Sequence, residues 1–472
     1  MAGCTANSNY DCVPCSEGET GVCRQPKDLT LAKVQAAIND SVASNGTVYG
    51  DGVYLTAGTQ TWASGLDISN KKGLVIKGAG SSLTNLNISN NAVNFNGADY
   101  ARIAGIHFNT VAGSHPIGGY GTNIRIDHNL FTGAASILIE FHDSHYSTGV
   151  IDNNIFTVNV PATIIYVKGL DSSGRASFEV PIDFGTAEWF FVEGNIFNNL
   201  GDFVEMFENQ NGGKMVVRWN TINEISPSNM ATLFEQHNSS AWGADIPQND
   251  GGTGGRAQEI YNNRINYASS IGKYIRMLYW RTGTGLAYNN VVDYSARGGE
   301  SFTYFELANY RAYSGCTEGS TPNNLPSPTL CATCLARCCA TTYTSGSLRG
   351  EGYPCVGGVG QGKYGGIPEP VYFWNNKKTA NGTTLVNLTA SDVYVDPTAE
   401  WAIRLNRDYC VSTTGKPDSC GGTPLIYSPY SCPHPLTGLS GTCNSAIAGA
   451  SGYNINSSDT TPPAAPKGLT VQ

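Results

Sequence analysis

Charge is what this sequence has least of. Asp, Glu, Lys and Arg make up 14% of its 472 residues, against roughly 25% in ordinary soluble domains. So few charges, with no 3.6-residue apolar periodicity, leave little material for exposed amphipathic helix. There is no Lys/Arg cluster either, and the formal charge is −9. That balance argues against nucleic acid or an anionic membrane as partner, and against a strongly polyanionic substrate unless a cation mediates. No apolar run approaches the ~20 residues of a bilayer span, so no membrane insertion is expected. The opening "MAGCTANSNYDC" lacks a basic stretch followed by an apolar one, and any secretion signal is read as already removed.

What the chain does contain is Gly, at 56 residues, and Cys, at 14. The cysteines fall in two clusters, Cys4 to Cys23 and Cys316 to Cys443. An even count in two groups points to disulfides formed separately within each, and hence to a secreted, extracellular protein. "CATCLARCC" (331–339) has Cys-x2-Cys-x3-Cys spacing that can bind zinc, but no His lies nearby and disulfides are the expected use.

A short pattern, apolar-x-x-Asn-apolar, recurs through the middle of the chain: "RIDHNLF", "VIDNNIF", "FVEGNIF", "VVRWNTI", "EIYNNRI", "LAYNNVV" and "YFWNNKK". It marks Asn129, Asn154, Asn195, Asn220, Asn263, Asn290 and Asn376, which are 25, 41, 25, 43, 27 and 86 residues apart. "ARIAGIHF" extends the series one period upstream with Ile106 in the Asn position. A period near 25, broken by insertions, marks a solenoid, and the β-branched and aromatic runs within each repeat make its coils strands and tight turns. Asn suits the repeated turn because it tolerates a left-handed backbone and its amide can bond the Asn of the next coil.

On these Asn-marked coils, and on the entry segment "LAKVQAAINDSVASNGTVYGDGVYLTAGTQTW" (31–62), the chain resembles the right-handed parallel β-helix proteins of the pectate-lyase-like superfamily. The resemblance implies an all-β solenoid whose first coil is covered by a short N-terminal capping helix and which carries disulfide-rich loop insertions. Residues 1–30 read as a Cys-rich N-terminal segment, 31–455 as the β-helix domain with a Cys-rich insertion at 311–365, and 456–472 as a Pro-rich linker into a further module of a larger secreted protein. The closing region, "IYSPYSCPHPL", resembles the end of secreted bacterial β-helix proteins that have an aromatic residue where this chain has Cys432. The difference implies an extra disulfide, to Cys410 or Cys420. The superfamily holds lyases, hydrolases, esterases and adhesins, so the fold does not fix the chemistry.

Upstream of each Asn turn lies another run: "LIEFHDS", "IIYVKGL", "MFENQNG", "LFEQHNS", "MLYWRTG" and "YFELANY". Aligned on inward residues Ile139, Ile165, Phe207, Phe234, Met277 and Phe305, the next outward positions are Glu140, Tyr166, Glu208, Glu235, Leu278 and Glu306. Two residues on stand His142, Lys168, Gln210, His237, Trp280 and Ala308. Coils stack at about 4.8 Å, so one outward ribbon is rich in Glu and the next in bases and aromatics. Like charges on neighbouring strands destabilise a sheet, which points to a functional face.

Glu208 and Glu235 are the expected carboxylate pair of a glycoside hydrolase, with Glu140, His237 and Lys168 assisting proton transfer. Trp280 and Tyr166 are expected as sugar platforms, and His142, Arg218, Arg276 and Arg281 as substrate contacts. The competing expectations are a polysaccharide lyase in which the Glu cluster holds Ca2+, and a carbohydrate-binding surface without catalysis.

Overall fold

The computed structural model describes residues 3–42, 48–142, 146–159, 162–169, 181–198, 200–201, 203–223, 230–237, 254–266, 274–293, 302–308, 359–360, 368–380, 384–395, 403–439 and 443. All of the Cys-rich insertion but residues 359–360, with the cysteines from Cys316 to Cys355, and the Pro-rich C-terminal stretch lie outside these residues. The described chain is a parallel β-helix of three long sheets with 13, 11 and 10 strands. Each coil contributes one strand to each sheet, as in Ile124–Asp127, Leu130–Ala134 and Ile137–Phe141. One α-helix, Leu31–Asn39, buries Val34, Ala37 and Ile38 against the first coil, as the resemblance implies.

The first and second sheets meet at a two-residue turn, and the repeated Asn is its second residue. Its side chain faces the interior, where backbone groups cannot reach water and must find partners. Asn129 N–H donates to Asn154 Oδ1 at 2.9 Å, Asn154 to Asn195 at 3.0 Å, and Asn195 to Asn220 at 3.0 Å. The series continues through Asn263 and Asn290 to Asn376. Ile106 N–H donates to Asn129 Oδ1 at 3.0 Å, which places Ile106 as the first rung. The left-handed residue is not the ladder Asn but the one before it: His128, Asn153, Gly194, Trp219, Asn262, Asn289 and Asn375 all have φ between 52° and 66°. The ladder positions are Asn for the amide, and their predecessors supply the backbone conformation.

Inside, apolar side chains stack coil on coil. Phe108, Phe131, Phe156 and Phe197 form one column in the second sheet, with ring centroids 5.2, 4.8 and 4.5 Å apart. Outside, the first sheet carries buried charge. Arg102 holds Asp127 with two hydrogen bonds of 2.7 Å, and Arg125 holds Asp152 with two of 2.9 Å. Glu17, from the N-terminal segment, caps Arg102 at 2.7 Å. The hairpin Tyr10–Val13/Cys23–Pro26 adds itself to that sheet's edge.

The C-terminal segment crosses the other end of the same face. Arg218 pairs with Glu193 and donates to the carbonyls of Tyr430 and Ser431, while His434 N–H donates to Glu193. Tyr427 donates to Glu259 at 2.9 Å, whose other oxygen accepts from Gly185 N–H at 2.7 Å. The disulfides Cys4–Cys12, Cys15–Cys23, Cys410–Cys420 and Cys432–Cys443 tie both covers down. Each stays within its cluster, but Cys432 pairs with Cys443 and not with Cys410 or Cys420, which close on each other across a tight loop. Four disulfides suit an extracellular or oxidising location, and among the described residues no helix is long and apolar enough to cross a membrane.

Two outcomes test this frame. Asn220→Ala strands the buried Asn195 N–H, at about 1–3 kcal/mol for each polar group left unpaired, and chemical denaturation should show the loss with the slope unchanged. Burial pushes the Glu259 carboxyl up from its ordinary 4.5 to about 7. The folded state therefore binds that proton more tightly, so this contribution is complete below pH 4.5 and is lost as pH rises to about 7. Against Glu259→Gln, the wild type should lose about 3 kcal/mol between those limits, read as Tm against pH; parallel curves would refute it.

Candidate functional site

The third sheet presents the site. Its register aligns Glu140, Tyr166, Glu208, Glu235, Tyr279 and Glu306 in one outward column. Five of the six positions are those expected. At the fifth coil Phe234 pairs with Leu278, not Met277, so Tyr279 takes the place given to Leu278. The cause lies in a local break of alternation. Each strand buries two apolar residues in succession, Met206–Phe207, Leu233–Phe234 and Met277–Leu278, and "RMLYW" can be laid on that template in two ways.

The one-residue shift carries Trp280 into the core. It is fully buried, its indole N–H donates to Gln258 at 3.0 Å, and its ring stacks on Phe373. Trp280 is therefore no sugar platform. Tyr166 faces outward but is 7% exposed, with Lys168 Nζ 4.3 Å over its ring; that cation covers the face a sugar would need. Arg218 is likewise corrected: it is buried in the first sheet, on a different face of the solenoid. His142 follows the Glu140 strand, three coils from His237.

The same break reveals a residue that strict alternation hides. Two buried residues between Glu205 and Glu208 put both carboxyls on the outward side. Thr232 with Glu235, and Arg276 with Tyr279, repeat this three-residue step. The repeated pair of apolar residues was the signal, legible once three coils are aligned.

Most of the carboxylates have a basic partner one coil on, two residues further along. Lys168 Nζ donates to Glu140 at 2.7 Å, His237 Nδ1 lies 2.5 Å from Glu208, and Arg281 pairs with Glu235. Arg276, from the other side, donates to Glu306 at 2.8 Å. Thr163 adds a 2.7 Å hydrogen bond to Glu208, and His115 lies 3.5 Å from Glu140. Glu205 differs. It is half-buried, and burial first, then the Glu208 charge, push its carboxyl up from 4.5 to about 7. Glu205, Glu235 and His237 each bring a donor atom within 4.8 Å of the others, close enough for one divalent cation to bridge.

Chemically, the face thus joins a carboxyl pushed up to about 7, Glu205, to carboxylates that lie against basic partners. Environments that push neighbouring acids apart in this way are how acid and base roles are divided.

No family model matches the chain, and no curated protein does. Among solved structures it is similar to the ORF18 protein of Geobacillus virus E2, at 14% identity and TM-score 0.26, over 57% of this chain and 54% of that one. The chain thus spans about half the length of that protein. It is also similar to the PL6 family polysaccharide lyase Pedsa3628 from Pseudopedobacter saltans (12%, 0.29, 86% and 87% covered) and to the Agl-KA catalytic domain (11%, 0.27, 87% and 70%). These distant likenesses concern the fold and carry no argument about activity.

The placement of Trp280 has a direct check. Trp280→Ala should cost about 3–5 kcal/mol of stability, as for a large core side chain. Unchanged thermal unfolding with weakened polysaccharide binding would return the ring to the surface.

Proposed function

We propose that this is a secreted polysaccharide-cleaving enzyme, a glycoside hydrolase in which Glu205 is the proton donor and Glu235 its carboxylate partner. The observation that carries the reading is the approach of these two carboxyls to within 4.8 Å on neighbouring coils, with unlike surroundings. Glu205 is raised to about 7 by burial and by Glu208, which suits an acid that must give its proton to the leaving oxygen near neutral pH. Glu235 sits against the Arg281 guanidinium, which positions its carboxylate to attack or to stabilise the sugar cation. The short separation fits the ~5–5.5 Å of a double displacement with retained configuration better than the ~6.5–9.5 Å that leaves room for a water.

Glu208 takes a supporting role: it raises Glu205 and orients the His237 ring through Nδ1, leaving Nε2 as a second proton carrier. Glu140 and Lys168 lie along the groove on the coils before Glu208, at the substrate's flank.

A second reading, a cation-assisted lyase, is favoured by the three converging donors of Glu205, Glu235 and His237. The experiment is a polysaccharide panel read for both reducing ends and unsaturated uronate absorbance. Glu205→Gln and Glu235→Gln should each lose about 10²–10⁴-fold in rate, with melting temperature little changed for Glu205→Gln and lowered for Glu235→Gln, which breaks the buried pair with Arg281. Full activity in both variants would remove the site. Reducing ends that survive EDTA support hydrolysis, whereas loss restored by Ca2+ with absorbance of an unsaturated product would replace it with elimination.

A further inference from the structure

The sign of charge on this face is not the sign of its side chains counted together. Among the described residues, the carboxylate is the deeper partner in each ion pair of the third sheet. Side-chain exposure is 41% for His115 against 11% for Glu140, 25% for Lys168 against the same Glu140, and 20% for His237 against 6% for Glu208. It is 15% for Arg276 against 4% for Glu306, and 6% for Arg281 against 2% for Glu235. This order is not general in the protein. Asp11 is more exposed than Lys27, Asp28 than Lys33, and Glu369 than Arg256.

The cause is the register. Each glutamate rises from the strand itself, while its basic partner comes from two residues on in the next coil, or three before in the last, and lies across it. Tyrosine rings fix the cations there, with Lys168 4.3 Å over Tyr166 and Arg276 4.0 Å over Tyr279. The buried carboxylates thus act as anchors, and a ligand meets ammonium, imidazole and guanidinium tips at coil spacing of about 4.8 Å. Glu205, the half-buried exception, is the proton donor of the proposed chemistry.

We infer that this face takes an anionic polysaccharide, its carboxylate or sulfate groups lying against Lys168 and Arg276. The inference names the substrate class of the site and so rests on the reading given under Proposed function. It reverses locally what the chain-wide charge of −9 suggests, because a ligand in the groove feels the nearest charges most and distant ones are screened within about 10 Å.

Equilibrium binding of the full chain separates the two claims, since binding needs no cleavage. The probes are a polyuronate, its methyl ester, a sulfated galactan and a neutral mannan, each at low and high salt. An anionic probe should bind about tenfold more tightly than its neutral counterpart, and the difference should shrink as salt screens it. Preference for the polyuronate assigns the charge to carboxylate, and preference for the galactan assigns it to sulfate.

Lys168→Gln should cut anionic binding about fivefold and spare neutral binding, and Lys168→Arg should restore it, which a mere packing defect would not allow. Equal affinity for the polyuronate and its methyl ester, or no binding of either anionic probe, overturns the inference. Cleavage of a neutral polymer without anionic preference would sink it while leaving hydrolysis standing. Salt-sensitive anionic binding without any cleavage would sustain it and remove the hydrolase.

Discussion

One hydrogen bond, repeated, sets the geometry of this protein: the backbone N–H of each ladder asparagine given to the side-chain oxygen of the next. A parallel sheet can slip along its strands, and a slip of one residue would turn every inward side chain outward. The asparagine amide prevents this because it is buried and has only one place where both its donor and acceptor are satisfied. Its Nδ2 also donates to a carbonyl of the previous coil and to one of its own, as Asn220 does to Val192 and Arg218. Each rung thus binds three coils in one register, and the aromatic columns and outward ribbons inherit their alignment from it.

With register fixed, the solenoid spends its few charges unequally. On the first sheet they are buried as mutual pairs beneath the two ends of the chain. Glu17 reaches back to Arg102, and the segment around Tyr430 to His434 closes over Arg218 and Glu193. Breaking a buried pair is costly because it leaves a charge without compensation, so these contacts tie the covers to the helix. On the third sheet the same types of residue are stacked in half-open pairs, and one carboxyl, Glu205, makes no ion pair among the described residues. The contrast separates a face built for closure from one suited to a ligand.

Within that face, the pairs that matter join residues 28 to 46 positions apart. Columns can be read from the sequence once repeats are aligned, and Glu140, Glu208, Glu235 and Glu306 were legible in this way. The diagonal from a glutamate to the base of the next coil was not, because it depends on how long side chains lean across a groove. Glu205 and Trp280 exchanged their expected importance for a related reason. Strict alternation is a rule for regular strands, and these strands bury two residues in succession, Met206–Phe207, Leu233–Phe234 and Met277–Leu278.

By itself the sequence determined the solenoid, its period, the ladder and the clusters within which the described cysteines pair, since each of these is a local pattern repeated or a matter of composition; the capping helix came from the resemblance. Tertiary structure alone decided which of two registers the "RMLYW" run adopts, because only core packing distinguishes Leu278 from Met277 as the partner of Phe234. It alone sent Arg218 beneath the C-terminal segment, more than 200 residues away, and Cys432 to Cys443. It alone placed the carboxylates below their cations, because depth in a groove is a property of stacked coils and is written in no single one of them.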